Sequence, residues 1–211
     1  MTKEQLIQFG WHNTSDSFVE ALNNALVDYG ITDRVSIAMF MATMAKESYW
    51  GDKTIEQGSD SYFKSKSYGK NRRGAGYIQV TGKELHKAFL TYIGDGFNGI
   101  DTATYIAKNY PMEAAAWYWA VLKTTRLGSL NQYIEHYGNS EAVFLLTQNI
   151  VLGFPSAVDY PHLDSDLRKI VEGAEYEISD NRLIISGISY PLPGDWIFRS
   201  NAYVKALDIF V

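Results

Sequence analysis

The stretch Val35-Ser36-Ile37-Ala38-Met39-Phe40-Met41-Ala42-Thr43-Met44-Ala45 constrains this chain most, because wound as a helix it is apolar on nearly every side. A helix with no polar face belongs at the buried centre of a domain rather than at its surface. Thr32 or Asp33 opens it, and it runs straight into Lys46-Glu47-Ser48. Burial disfavours the charged form of a carboxyl group. A glutamate at the lip of such a helix is therefore the first candidate for chemistry, and a proton donor is what that environment favours.

The remaining elements read as a helical shell around this centre. Phe18 to Tyr29 has helical apolar spacing, with Asp16 or Ser17 as N-cap and Gly30 as a left-handed stop. Gly51 to Gly76 is a long irregular polar segment, and segments of that length inside a compact domain tend to carry function. Helices are expected over Thr81–Ile93, over Pro111–Leu122 with Pro111 at the first position, over Glu141–Leu152, and over Ser165–Glu172. After Gly173 the composition changes. Glu175–Ile178 and Leu183–Ser186, joined by Ser179-Asp180-Asn181, read as a β-hairpin; Pro191 and Pro193 then break the chain, and Ala202–Phe210 reads as a short closing helix.

The 211 residues are 46% hydrophobic, enough for one sizeable core, and carry a formal net charge of −5. That balance gives no support to wholesale nucleic-acid binding, although Lys64 to Arg73 forms a local basic stretch. There is no cysteine, so disulfides, thiol nucleophiles and thiolate metal sites are excluded. His12, His86, His136 and His162 show no metal-ligand spacing, and no metal or cofactor is expected. The first residues lack the pattern of a secretory signal, and no run is long and apolar enough to span a bilayer.

Four motifs follow one another in order. Asp33 to Ser48 is the apolar helix ending in Glu-Ser. About 27 residues after Glu47 comes Gly74-Ala75-Gly76-Tyr77-Ile78-Gln79-Val80-Thr81-Gly82. Ala116-Trp117-Tyr118-Trp119 is an aromatic helix, and Leu146-Thr147-Gln148-Asn149-Ile150-Val151-Leu152-Gly153 closes the set. Over roughly residues 15 to 155 this series resembles glycoside hydrolase family 19, the chitinases and related phage endolysins of the lysozyme-like superfamily. The resemblance implies a mainly α fold: a lysozyme-like helical domain over residues 1–172 with a polar cleft loop. A C-terminal extension, 173–211, carries the small hairpin and packs on the same domain.

The same resemblance assigns candidate roles. Glu47 is the general acid and Glu56, nine residues on, the general base, with Asp52 and Asp60 as weaker substitutes. Glycoside hydrolysis needs one carboxylic acid on the leaving oxygen and a second carboxylate acting on water or on carbon, and family 19 enzymes invert. Thr81 is implied in holding the attacking water and Gln79 in binding an N-acetyl sugar, with Gly74 and Gly76 letting backbone approach the substrate. Tyr62, Tyr68 and Tyr77 are candidate platforms for sugar faces, and Asn149 is a candidate sugar contact. Trp117 and Trp119 read as core.

Several positions depart from the family pattern. Lys46 stands for its His, Tyr49-Trp50 for Gly-Gly, Ala75 for Arg, Leu85 for Asn, and Val151 for a sugar-binding Asn. The expected function is cleavage of β-1,4 bonds in bacterial peptidoglycan, in the manner of an endolysin or antibacterial effector. Chitin hydrolysis and non-catalytic glycan binding are the alternatives. The expected partner is the polysaccharide, the expected state a monomer, with a delivery or inhibitor protein compatible. Synthesis in the cytoplasm and action at the cell wall or periplasm after release or delivery complete the expectation.

Overall fold

The computed structural model describes residues 1–125, 127–153 and 159–211. Phe154 and Pro155, the last positions of the stretch that resembles family 19, lie outside these residues.

Three capped helices open the chain. Helix α1 (Lys3–Phe9) starts with a capping box between Thr2 and Gln5, and α2 (Asp16–Asp28) is capped by Ser15. Helix α3 (Arg34–Glu47) begins where Asp33 accepts a hydrogen bond from the Ser36 N–H at 2.9 Å. As its composition requires, α3 is buried along its length: Ser36 and every residue from Ala38 to Ala45 are sealed from solvent. The polar segment that follows is not structureless. It contains the short helix α4 (Asp60–Lys64) and a 3-10 turn at Lys70–Arg72.

Helices α5 (Lys83–Tyr92), α6 (Thr102–Asn109) and α7 (Pro111–Trp117) come next, α7 passing into a π turn over Tyr118–Leu122. Helix α7 faces two cores at once. Met112, Ala115, Ala116 and Trp119 join the main cluster around α3, whereas Ala114 and Trp117 join a smaller one with Phe89, Ile106 and Val80. The split follows helical spacing, which sends residues three and four apart to one face.

A two-stranded ladder, β1 (Thr124–Thr125) with β2 (Gly128–Ser129), leads into α8 (Leu130–Tyr137), α9 (Glu141–Leu152) and α10 (Leu163–Val171). Strands β3 (Tyr176–Ser179), β4 (Arg182–Ile185) and β5 (Ile188–Pro191) form an antiparallel meander. The β3–β4 turn holds Asp180 and Asn181 at φ 50° and 60°, the paired positive values that match hairpin twist. The expected hairpin thus gains a third strand. Pro191 closes β5 at the sheet edge, where a missing N–H costs nothing.

Helix α11 (Trp196–Phe210) completes the fold and begins six residues before the Ala202 start expected from sequence. It packs along α3 in the most extensive helix pair among the described residues. One continuous core holds Leu6, Phe40 and Leu146 together with Leu183, Tyr190, Trp196, Tyr203 and Phe210. Residues 173–211 therefore share the core of the helical domain. The Tyr190 hydroxyl also donates to Asp166 at 2.5 Å, tying β5 to α10.

Candidate active site

Glu47 is the last residue of α3, and its side chain is 19% exposed. The sequence offered burial as its environment; the structure adds a cation. Arg199 of α11, itself 5% exposed, donates from Nη2 to Glu47 Oε1 at 2.5 Å. Its other two nitrogens are also partnered. Nε donates to the Gly194 carbonyl at 2.8 Å and Nη1 to Gln148 Oε1 at 3.0 Å. Gln148 is sealed from solvent and donates from Nε2 to Thr43 Oγ1 at 2.7 Å; Thr43 donates to the Met39 carbonyl. A buried ion is tolerable when it is paired and hydrogen-bonded, and this relay gives each guanidinium nitrogen a partner across three helices. Sequence reasoning missed Arg199. The available signal was an arginine inside the apolar stripe Trp196, Ala202, Tyr203, Ala206, Phe210.

The turn after Glu47 is tightly specified. Ser48 donates to the Met44 carbonyl and accepts from the Gly51 N–H, while Trp50 N–H donates to the Ala45 carbonyl. Tyr49 and Trp50 take left-handed φ values of 52° and 58°.

Glu56 lies on a short ladder. Its N–H donates to the Gly74 carbonyl, and the Gly76 N–H donates to the Thr54 carbonyl. Three donors hold its carboxylate: Tyr62 and Tyr68 hydroxyls at 2.9 Å each on Oε1, and the Gly74 N–H at 2.9 Å on Oε2. The phenol of Tyr68 is pushed well above its ordinary range, first by burial and then by its hydrogen bonds to Tyr62 and Glu56.

Glu47 and Glu56 line one cleft of about 460 Å³, together with Lys46, Tyr49, Lys53, Tyr62, Tyr68, Gly74, Gln79 and Thr81. Asp52 and Asp60 are engaged elsewhere, Asp52 with His12 at 2.8 Å and Asp60 with Lys70 at 2.7 Å. The turn carrying Gln79 and Thr81 is closed on itself. Thr81 Oγ1 donates to the Gln79 carbonyl at 2.8 Å, and Gln79, at φ 61°, donates from Nε2 to the Gly76 carbonyl. The two glycines serve this closure. A Cβ on Gly74 would lie 2.7 Å from Gln79 Oε1, and one on Gly76 2.8 Å from the Pro111 carbonyl oxygen.

Two expected sugar contacts stand elsewhere. Tyr77 is not a platform in the cleft: it is 5% exposed and packed edge-on to Trp11 and Phe18. Tyr77 and Ile78 join the main core, whereas Ala75 and Val80 of the same turn face the smaller one. Asn149 lies on α9 outside the cleft lining, and its neighbour Gln148 is the residue linked to Glu47 through Arg199. Tyr62 and Tyr68 do reach the cleft, with their hydroxyls committed to orienting Glu56. Trp117 and Trp119 are buried. Among the described residues, no group of three or more His, Asp or Glu side chains is gathered as a metal would require, and no helix is long and apolar enough to cross a membrane.

Neither a family model nor a curated protein sequence matches the chain. Solved structures do. The chain is similar to a mutant of chitinase C at 16% identity and TM-score 0.62, over 100% of this chain and 92% of that one. It is similar to chitinase C from Streptomyces griseus HUT6037 at 17% identity and TM-score 0.60, over 99% of this chain and 91% of that one. A bacterial family 19 chitinase aligns at 18% identity and TM-score 0.51, over 82% of this chain and 95% of the other. At these identities the likeness establishes the fold, which is the mainly α, lysozyme-like fold of the family 19 chitinases.

Proposed function

We propose that this protein is a glycosidase that hydrolyses β-1,4 bonds of bacterial peptidoglycan by an inverting mechanism. The observation that carries the reading is a pair of carboxylates lining one polar cleft, each held by a different device. Glu47 is clamped through Oε1 by a buried arginine, and Glu56 accepts from two phenols and a backbone N–H. Glu47 delivers a proton to the departing glycosidic oxygen. Glu56, fixed as an acceptor, takes a proton from the water that attacks the anomeric carbon from the opposite face. Thr81 steadies that water, and Gln79 contributes to sugar binding.

The choice of polymer rests on charge. Lys46 and Lys53 line the cleft, Lys53 with its ammonium 3.9 Å from the centre of the Tyr49 ring. Peptidoglycan carries carboxylates on its peptide branches, whereas chitin is neutral, so the Lys53 ammonium in the cleft favours the former. Chitin hydrolysis is the second reading, favoured by the solved structures that share the fold. Action at the cell wall as a monomer, after release or delivery, accompanies the first reading.

Purified peptidoglycan and chitin oligomers, each incubated with the protein and assayed for new reducing ends, separate the readings. Faster release from peptidoglycan is expected. Release from chitin alone overturns the peptidoglycan assignment, and binding to either polymer without release overturns the glycosidase.

A further inference from the structure

Beside the cleft lies a second depression of about 490 Å³, lined by Lys46, Tyr49, Trp50, Asn181, Asp195, Trp196, Ile197 and Phe198. Its volume falls in the range of ligand sites. Its chemistry differs from that of the cleft: the walls are mainly aromatic and aliphatic, whereas the cleft is mainly polar. The two are adjacent, with Lys46 and Tyr49 lining both. On the rim, Lys46 Nζ meets Asp195 Oδ2 at 2.9 Å, and this ammonium lies 6.0 Å from the centre of the Phe198 ring.

Two features mark the hollow as more than a packing defect. Tyr49 and Trp50 hold consecutive left-handed backbone conformations, a geometry that costs a bulky residue energy and that the hydrogen bonds of this turn hold in place, presenting both rings to the hollow. Ile197 is 71% exposed and Tyr49 59% exposed, leaving apolar surface open at the junction with a glycan cleft.

We propose that this hollow receives the peptide branch of peptidoglycan while the glycan strand occupies the cleft; the inference rests on the peptidoglycan reading above. Within a β-1,4 glycan, that branch is the part with methyl side chains, free carboxylates and, in many walls, an amine. Apolar walls suit the methyl groups. The paired ammonium and carboxylate of Lys46 and Asp195 suit a branch bearing both charges. A bare N-acetyl-hexosamine chain offers no carboxylate or amine to the Lys46 and Asp195 pair. The hollow thus makes peptide-bearing strands better substrates than bare ones.

The test compares intact peptidoglycan with the same glycan strands after an amidase has removed their peptides, for the wild-type protein and for Ile197→Asp. Position 197 is outside the cleft, and its exposure lets the fold tolerate the change. The wild type is expected to cut intact strands about tenfold more efficiently, the discrimination one apolar contact site supplies. Ile197→Asp should lose most of that advantage and keep the wild-type rate on stripped strands. Equal wild-type rates on the two substrates overturn the proposal and leave the peptidoglycan reading standing. So does an equal fall of the variant on both. Cleavage of neither substrate, with chitin oligomers cut, removes the peptidoglycan reading and this inference with it.

Discussion

Arg199 and Glu47 are 152 residues apart in the chain and 2.5 Å apart in the fold. The final helix thereby fixes the orientation of a carboxylate presented by the third. Replacing Arg199 with Met leaves Glu47, Gln148 and the Gly194 carbonyl without their shared partner. Stripping one member from a buried pair costs about 3 kcal/mol, so chemical denaturation should show a loss of that order. Turnover should fall about a hundredfold, as for the loss of a preorganised electrostatic group. Arg199→Lys, which keeps the charge but not the three-way fork, should recover stability only in part.

The relay behind the arginine is testable separately. Gln148→Leu keeps volume but orphans Arg199 Nη1 and removes the donor to Thr43. An unsatisfied buried group costs about 1–3 kcal/mol. The variant is expected to lose stability in that range and to lower kcat more than it raises KM. An unchanged kcat would show that the relay serves folding alone.

Tyr68→Phe and Tyr62→Phe each remove one of the two phenols on Glu56 Oε1. Each should cost roughly tenfold in kcat, matching one hydrogen bond to a charged group. The double variant should lose more than either single one, with the melting temperature little changed because both rings remain. If both hydroxyls can be removed without effect on kcat, Glu56 is not the base.

Gly76 has φ 75° and presses against the Pro111 carbonyl oxygen. Gly76→Ala puts a Cβ into the left-handed region and into that contact, so a destabilisation of about 1–3 kcal/mol is expected by thermal or chemical unfolding. Stability equal to wild type would contradict the packing described for this turn.

Buried phenols set an alkaline limit. Burial, before any neighbouring charge, pushes Tyr29 and Tyr118 up to about 12, against 10.0 when unperturbed. The folded chain keeps these protons while the unfolded chain releases them, so their contribution is fully present below about pH 10 and shrinks as pH rises towards 12. The urea midpoint should therefore be lower at about pH 11 than at about pH 8, and tyrosinate absorbance should rise together with unfolding. Equal midpoints would contradict the burial.

The sequence was most legible where one element had a single possible fate. Although the choice of Asp33 over Thr32 as the cap of α3 came from the structure, Val35 to Ala45 has no polar face, so that helix and the position of Glu47 at its end follow from the pattern. The start of α11 did not. Asp195 precedes it in a left-handed conformation with no side-chain cap, so no capping signature marks the helix, and Pro191 and Pro193 read as a break. Arg199 therefore fell outside the expected helix, and its partner was invisible to local pattern. Helices α1 and α8 did carry a readable sign, the capping boxes Thr2–Gln5 and Ser129–Gln132. Tyr77 shows the opposite limit: residue type allowed a sugar platform, and only tertiary packing against Trp11 and Phe18 decides against it.

The most direct measurement is mass spectrometry of purified peptidoglycan digested by the wild-type protein and by Glu47→Gln. Wild type is expected to release disaccharide peptides with new reducing ends, and Glu47→Gln, folded equally well, to lose at least about a hundredfold of that activity, as expected when a general acid is removed. Products of undiminished yield from Glu47→Gln, or glycan strands left whole by the wild type, would contradict the assignment of Glu47 as the proton donor of a peptidoglycan glycosidase.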